Sequence, residues 1–164
     1  MGTDINAIFG HREPFPPTES VVEAMRKGIG GEWDLLRDYN PGCGLVYVRG
    51  EHSISFGHHA AIIGTGERWP RPSEHPDEKQ WLISAVCAIA RYFRSPCVIF
   101  LPDDMEPWIY ASKWIGEGMT LEQLRQHMAG IKAPSATLRA AITQYSEYCD
   151  VEGYVIKELN YETA

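Results

Sequence analysis

The sequence predicts an α+β fold, or α/β as the alternative. One compact domain over residues 1–164 would hold a small mixed sheet, a buried central helix and about four helices in all. Three observations carry that expectation. Between Asp77 and Phe93, the apolar residues Leu82, Val86, Ile89 and Phe93 recur at helical spacing, Ala85, Ala88 and Ala90 fill the gaps, and no Gly or Pro intervenes. Such a segment is apolar on more than one face, which marks a deeply buried helix of about four turns. Arg94-Ser95-Pro96 ends it, and Cys97-Val98-Ile99-Phe100-Leu101 follows as an unbroken apolar run, the pattern of a strand covered on both faces. Leu45 to Arg49 and His52 to Phe56 read as two strands around Gly50-Glu51, a dipeptide suited to a type II′ turn.

In chain order, residues 1–17 read as an irregular segment, since Pro14, Pro16 and Pro17 forbid a helix there. Ser20 and Glu23 form a capping box for a short helix to about Ile29. Glu32 to Tyr39 reads as a further helical turn before Asn40-Pro41-Gly42. Ala60 to Ile63 is a short strand or buried turn. Gly64-Thr65-Gly66 reads as a plain turn, and Trp69 to Pro76 as a loop. Beyond the central helix and strand, Pro102-Asp103-Asp104 turns the chain, and Trp108-Ile109-Tyr110 after Pro107 suggests an edge strand. Thr120 and Gln123 cap a helix with Leu121, Leu124, Met128 and Ile131 on one stripe, closed by Gly130 and Pro134. Ser135 caps a last helix burying Leu138, Ala141, Ile142 and Tyr145, and Tyr154 to Leu159 is the final strand. No repeat, low-complexity tract or linker divides the chain.

A net charge of −7 with no basic run argues against nucleic-acid binding. No apolar run reaches the roughly 18 residues a membrane span needs, and the first residues lack a signal pattern. The four cysteines show no C-x-x-C spacing, which fits reduced thiols and a cytoplasmic protein. From Glu147 onward acids outnumber bases, so an acidic surface including Glu152 and Glu158 faces solvent or a basic partner.

Several groups are candidates for chemistry. Asp103 and Asp104 follow a central strand, where ligands gather in open α/β sheets, and with Glu106 they could hold Mg²⁺ or supply a general base; the plainer reading is a turn. His52, His58, His59 and His75 fall close together in sequence. Adjacent His58 and His59 would point to opposite faces of a strand, however, and no zinc-binding spacing is present, so neither a metal nor a cofactor is expected. Cys43, between two glycines, is a nucleophile candidate only if a nearby histidine lowers its pKa. Gly64-Thr65-Gly66-Glu67-Arg68 lacks the further residues of a phosphate-binding loop. Trp108, Tyr110 and Trp114 at even spacing form either an interface stripe or core.

Read together, these features suggest a small protein-binding or inhibitory domain, in one form a bacterial immunity or anti-defence protein. It would act through an acidic and aromatic surface made of Trp108, Tyr110, Trp114, Glu152 and Glu158. The alternatives are a small hydrolase or transferase, with its pocket between Asp103-Asp104 and the His52–His59 hairpin, and a subunit that self-associates through the aromatic edge strand.

Overall fold

The computed structural model describes residues 4–11, 34–36, 46–49, 52–56, 59–69, 79–102, 117–144 and 150–161. Among them the elements run β1 (Asp4–Gly10), β2 (Asp34–Leu36), β3 (Val46–Arg49), β4 (His52–Phe56), β5 (Ala60–Arg68), α1 (Gln80–Tyr92), β6 (Cys97–Pro102) and α2 (Leu121–Ile131). A 3-10 turn (Arg139–Ala141), β7 (Ile142–Gln144), β8 (Asp150–Val151) and β9 (Val155–Glu158) complete the order. The fold is α+β.

Seven strands form one sheet in the order β2-β3-β4-β5-β1-β6-β9, and β7 pairs with β8 apart from it. Every pairing between named strands is antiparallel, so the mixed sheet expected from the sequence is not what forms. The reason is β1. Strands β5 and β6 point the same way, with α1 as the crossover between them, but β1 occupies the slot between the two and pairs antiparallel with both. A segment expected to be irregular is therefore central. Its prolines begin only after Gly10, and within it Ile5, Ala7 and Phe9 alternate with Asn6 and Ile8 as a strand requires.

That alternation feeds two cores. Ile5, Ala7, Phe9, Ala61, Ile63, Val98 and Phe100 pack with Leu82, Val86, Ile89 and Ala90 of α1. From the opposite face, Ile8, Ala60, Cys97, Ile99 and Leu101 pack with Leu121, Leu124 and Met128 of α2 and with Tyr154. The sheet is thus sandwiched between the two helices, and the unbroken apolar run of β6 is covered on both faces as expected. Each large apolar side chain buried this way contributes about 1.5–3 kcal/mol.

Both helices end through identifiable contacts. At the C-terminus of α1, the amide of Arg94 donates to the carbonyl of Arg91 and that of Ser95 to the carbonyl of Ala90, the paired bonds of a Schellman motif. Arg94 takes the left-handed position at φ 61°, where glycine is usual. At the N-terminus of α2 the expected capping box forms. The Gln123 amide donates to Thr120 Oγ1 at 3.1 Å, and the Thr120 amide to Gln123 Oε1 at 3.0 Å. Tyr154, fully buried, donates its hydroxyl to the carbonyl of Lys132 at 2.7 Å, just past the other end of that helix.

Other expectations are corrected. Asp34–Leu36, expected to be helical, is a strand paired with Val46–Val48. The helix expected from Ser135 is a single 3-10 turn followed by β7. Leu138 and Ala141 are buried as the stripe required, but the Leu138 carbonyl, which an α-helix would offer to Ile142, accepts instead from Trp69 Nε1 at 2.6 Å and from the Ala141 amide at 3.3 Å. The described residues accordingly hold two α-helices where about four were expected. The helix expected at 20–29 and the strand at 108–110 lie outside the described residues. Gly64-Thr65-Gly66 lies within β5, not in a turn. The β1–β5 register shifts between Asp4 and Asn6, and Thr65 Oγ1 donates to the Ile5 carbonyl at 2.7 Å in that irregular stretch.

Candidate functional site

The 3.6-residue turn of α1 separates two sets of side chains. Leu82, Val86, Cys87, Ile89 and Ala90 are buried against the sheet. On the opposite side Trp81 and Tyr92 stand 52 % and 46 % exposed, two of the three large exposed hydrophobic side chains among the described residues. Eleven positions apart, they are three turns plus a small rotation from each other. They therefore share one face, about 16 Å apart along the axis. Ser84 and Ala88 are exposed between them, with Ala85 half-buried, so a shallow trough of small residues is bounded by an aromatic ring at each end.

The Tyr92 end is braced from within. Tyr92 meets Phe93 edge-on at 5.2 Å, and Phe93 stacks on Phe9 of the central strand at 5.6 Å. Arg94 lies with its guanidinium 4.9 Å from the Tyr161 ring centre, and the Tyr161 hydroxyl donates to the Ser95 carbonyl at 2.5 Å. Arg91 is exposed in the last turn of the helix. From Lys79 to Arg94 the charged residues are Lys79, Arg91 and Arg94, all basic, in a chain of net charge −7. Asp77 and Glu78 lie outside the described residues.

The residues singled out in the sequence are placed differently. Trp108, Tyr110, Trp114, Cys43, His58, His75, Asp103, Asp104 and Glu106 lie outside the described residues. Glu152 is exposed, and its backbone carbonyl accepts from Lys132 Nζ at 3.3 Å. Glu158 forms an ion pair with Arg125 of α2, which offsets part of the acidity of this surface. His59 is exposed at the start of β5, and its carbonyl accepts from the His11 amide at 3.2 Å.

The strand register separates the histidines from the end of β6. Ala60 pairs with Gly10 at one end of β1, whereas Pro102, the residue before Asp103, pairs with Ile5 at the other, about 17 Å along the strand. His52 is at the Pro102 end, because its neighbour Ser53 pairs with Gly64 and Gly64 with Asn6, but three strand spacings, about 14 Å, separate β4 from β6. His52 and His59 thus sit at opposite ends of the sheet. The rule that ligands gather beyond a strand's carboxyl end also loses its basis here, since it holds for parallel sheets. Among the described residues no group of three or more His, Cys, Asp or Glu side chains could hold a metal ion.

The two described cysteines, Cys87 and Cys97, are free and buried, and desolvation pushes both thiols above their ordinary value, against the pull of nearby Arg91 and Arg125 respectively. They are packing groups. An open groove of about 620 Å³ lies beside the start of α2, lined by Glu117, Gly118, Met119, Gln123, Gln126 and His127. The capping box already occupies backbone amides of this helix start.

The α1 face was not singled out in the sequence because the regular apolar spacing of Leu82, Val86 and Ile89 marks only the buried side of the helix. The signal was present: Trp81 and Tyr92, eleven residues apart, share a stripe of the helix that holds none of Leu82, Val86 and Ile89. No protein-family model, curated protein or solved structure matches the chain.

Proposed function

We propose that this chain is a protein-binding domain and that the outer face of α1 is its docking surface. Blocking a larger partner is one form this activity would take. The observation that supports the reading is the exposure of Trp81 and Tyr92 on one face of a helix whose other side is fully packed. Large aromatic side chains exposed together cost solvation unless they are used, and Trp and Tyr carry a disproportionate share of binding energy at protein interfaces. The helix is anchored on the sheet, so little ordering entropy opposes docking.

The test compares wild-type protein with the Trp81→Ala/Tyr92→Ala variant as bait in cells that produce it. A partner identified by mass spectrometry would then be purified and titrated against both by calorimetry. The variant is expected to keep its thermal unfolding profile and to lose binding by at least about 100-fold, as removal of two interface aromatics does. Equal binding by both proteins would overturn the reading.

A further inference from the structure

We infer that residues 159–161, the segment after β9, form a latch on the end of α1, and that the Tyr92 end of the docking face is set only while this latch is closed. The proposal rests on the reading of that face as a docking surface and adds a means of controlling it. The latch begins where strand pairing stops. The Leu159 amide donates to the Pro96 carbonyl at 2.9 Å, one step beyond the last pair of β9 with β6, and the Leu159 side chain is buried in the core under α1. Two residues on, Tyr161 packs against the same core, partly buried. Its hydroxyl and its ring both engage the turn that ends α1. The hydroxyl donates to the Ser95 carbonyl at 2.5 Å, and the Arg94 guanidinium lies 4.9 Å from the ring centre.

That turn is strained. Arg94 sits at φ 61°, a region that a residue with a Cβ resists. Ser95 beside it ties the helix to the sheet, since its Oγ accepts from the Gly10 amide at 2.9 Å and donates to the Cys97 carbonyl at 2.7 Å. A strained backbone persists only where its surroundings over-determine it, and Tyr161 supplies part of that determination. When the latch opens, Arg94 loses the ring and the Ser95 carbonyl loses its donor. The turn then relaxes, and the last turn of α1 frays with it. Phe93 and Tyr92 come next along the chain, so the change reaches one ring of the docking face. Trp81, three turns away, stays in place. A segment of three residues held by a few weak contacts opens at low free energy, the range from which moving elements are drawn.

A tail that only packs would add stability evenly, whereas a latch opens as one unit with the turn it holds. Native-state hydrogen exchange of the full chain, followed by NMR, separates the two. The amides of Arg94, Ser95 and Leu159 donate to the carbonyls of Arg91, Ala90 and Pro96, all within the unit. They should share one protection factor, at least about tenfold below that of amides in the middle of β1 and β6. Tyr161→Phe keeps the ring and removes the hydroxyl. It should lower protection at all three amides, and at Tyr92 and Phe93, by about three- to tenfold, the effect of one lost hydrogen bond. The amides of β1 and β6 should not respond, nor should that of Ile83, which donates to the Lys79 carbonyl near the Trp81 end. Tyr161→Ala, which loses the ring as well, should give the same pattern with a larger fall.

Failure of this inference is distinct from failure of the reading beneath it. Unequal protection of the three amides, a response confined to Leu159, or an equal fall across β1 and β6 would each overturn the latch and leave the docking surface as it stands. Equal capture of partners by wild type and the Trp81→Ala/Tyr92→Ala variant, with the exchange pattern as expected, would overturn the control of docking and leave the opening of the helix end.

Discussion

Arg94 holds a backbone conformation that side chains with a Cβ resist, at a cost of about 1 kcal/mol or more. What it gains is the face of Tyr161, an interaction of about 0.5–1 kcal/mol at an exposed site. The two effects can be separated by substitution. Arg94→Ala loses the ring contact and keeps the strain, whereas Arg94→Gly loses the contact and relieves the strain. In urea unfolding the glycine variant is expected to be more stable than the alanine variant by about 1 kcal/mol. The reverse order would show that the helix end does not carry this strain.

Gly153 answers to space, not to backbone angle. A Cβ there would come within 2.7 Å of Ser135 Oγ and 2.9 Å of Ala141 Cβ. Gly153→Ala is therefore expected to lower stability by about 1–3 kcal/mol, measured by thermal and denaturant unfolding. An unchanged midpoint would mean that the 3-10 turn moves aside freely.

At the scale of elements, the core on both faces of β6 depends on buried thiols remaining protonated. The ordinary cysteine value is 9.0, and burial raises both Cys87 and Cys97 above it. The unfolded chain therefore releases these protons first as pH rises. Stabilisation from burying the neutral thiols is fully present below about pH 9 and is lost progressively above it. Unfolding midpoints should fall as the pH rises above about 9, and the Cys87→Ala/Cys97→Ala variant should show a shallower fall from a lower starting stability. A parallel pH profile in that variant would assign the alkaline loss to other groups.

The capping box of α2 gives a simpler expectation. Thr120→Ala should cost about 1 kcal/mol, with Gln123→Ala costing less, both read by denaturant unfolding. If neither substitution shifts the midpoint, the helix start draws its stability from packing of Leu121 and Leu124 instead.

The elements legible in the sequence share one property: their signals are local. The α1 pattern, the apolar run of β6, the paired strands β3 and β4 and the Thr120–Gln123 box each lie within a short stretch of chain. Elements misread in the sequence depend on distant partners. Asp34–Leu36 is a strand because Val46–Val48 pairs with it, and the helix from Ser135 is cut short where Trp69 takes the Leu138 carbonyl. Gly64 and Gly66 read as a turn because the register shift they accompany exists only against β1. The candidate site was half legible. Periodicity located the helix and its buried side, but Trp81 and Tyr92 were not singled out. Their exposure was not legible, because only the three-dimensional structure shows that nothing described covers that face.

At the scale of the whole molecule, two helices on opposite faces of one sheet are pinned to the same strand. Phe9 packs in the core under α1 and its neighbour Ile8 in the core under α2. Phe9→Ala is expected to cost about 3–5 kcal/mol. The loss should also reach the α1 face, because Phe9 supports Phe93 and Phe93 supports Tyr92. Trp81 lies outside that chain of rings. Partner binding by Phe9→Leu, measured where the variant remains folded, should therefore weaken through the Tyr92 end. Unchanged affinity would place the binding energy at Trp81 alone.

The position of β1 also has a consequence for synthesis. It is the first of the nine described strands to leave the ribosome, yet its neighbours are β5 and β6, and β6 ends at Pro102. At about 5–20 residues per second, the apolar strand waits roughly 5–20 s for its second neighbour to be made. During that interval Ile5, Ala7, Ile8 and Phe9 form a nascent segment attractive to chaperones. The described sheet closes only when later-made chain folds back on both sides of β1.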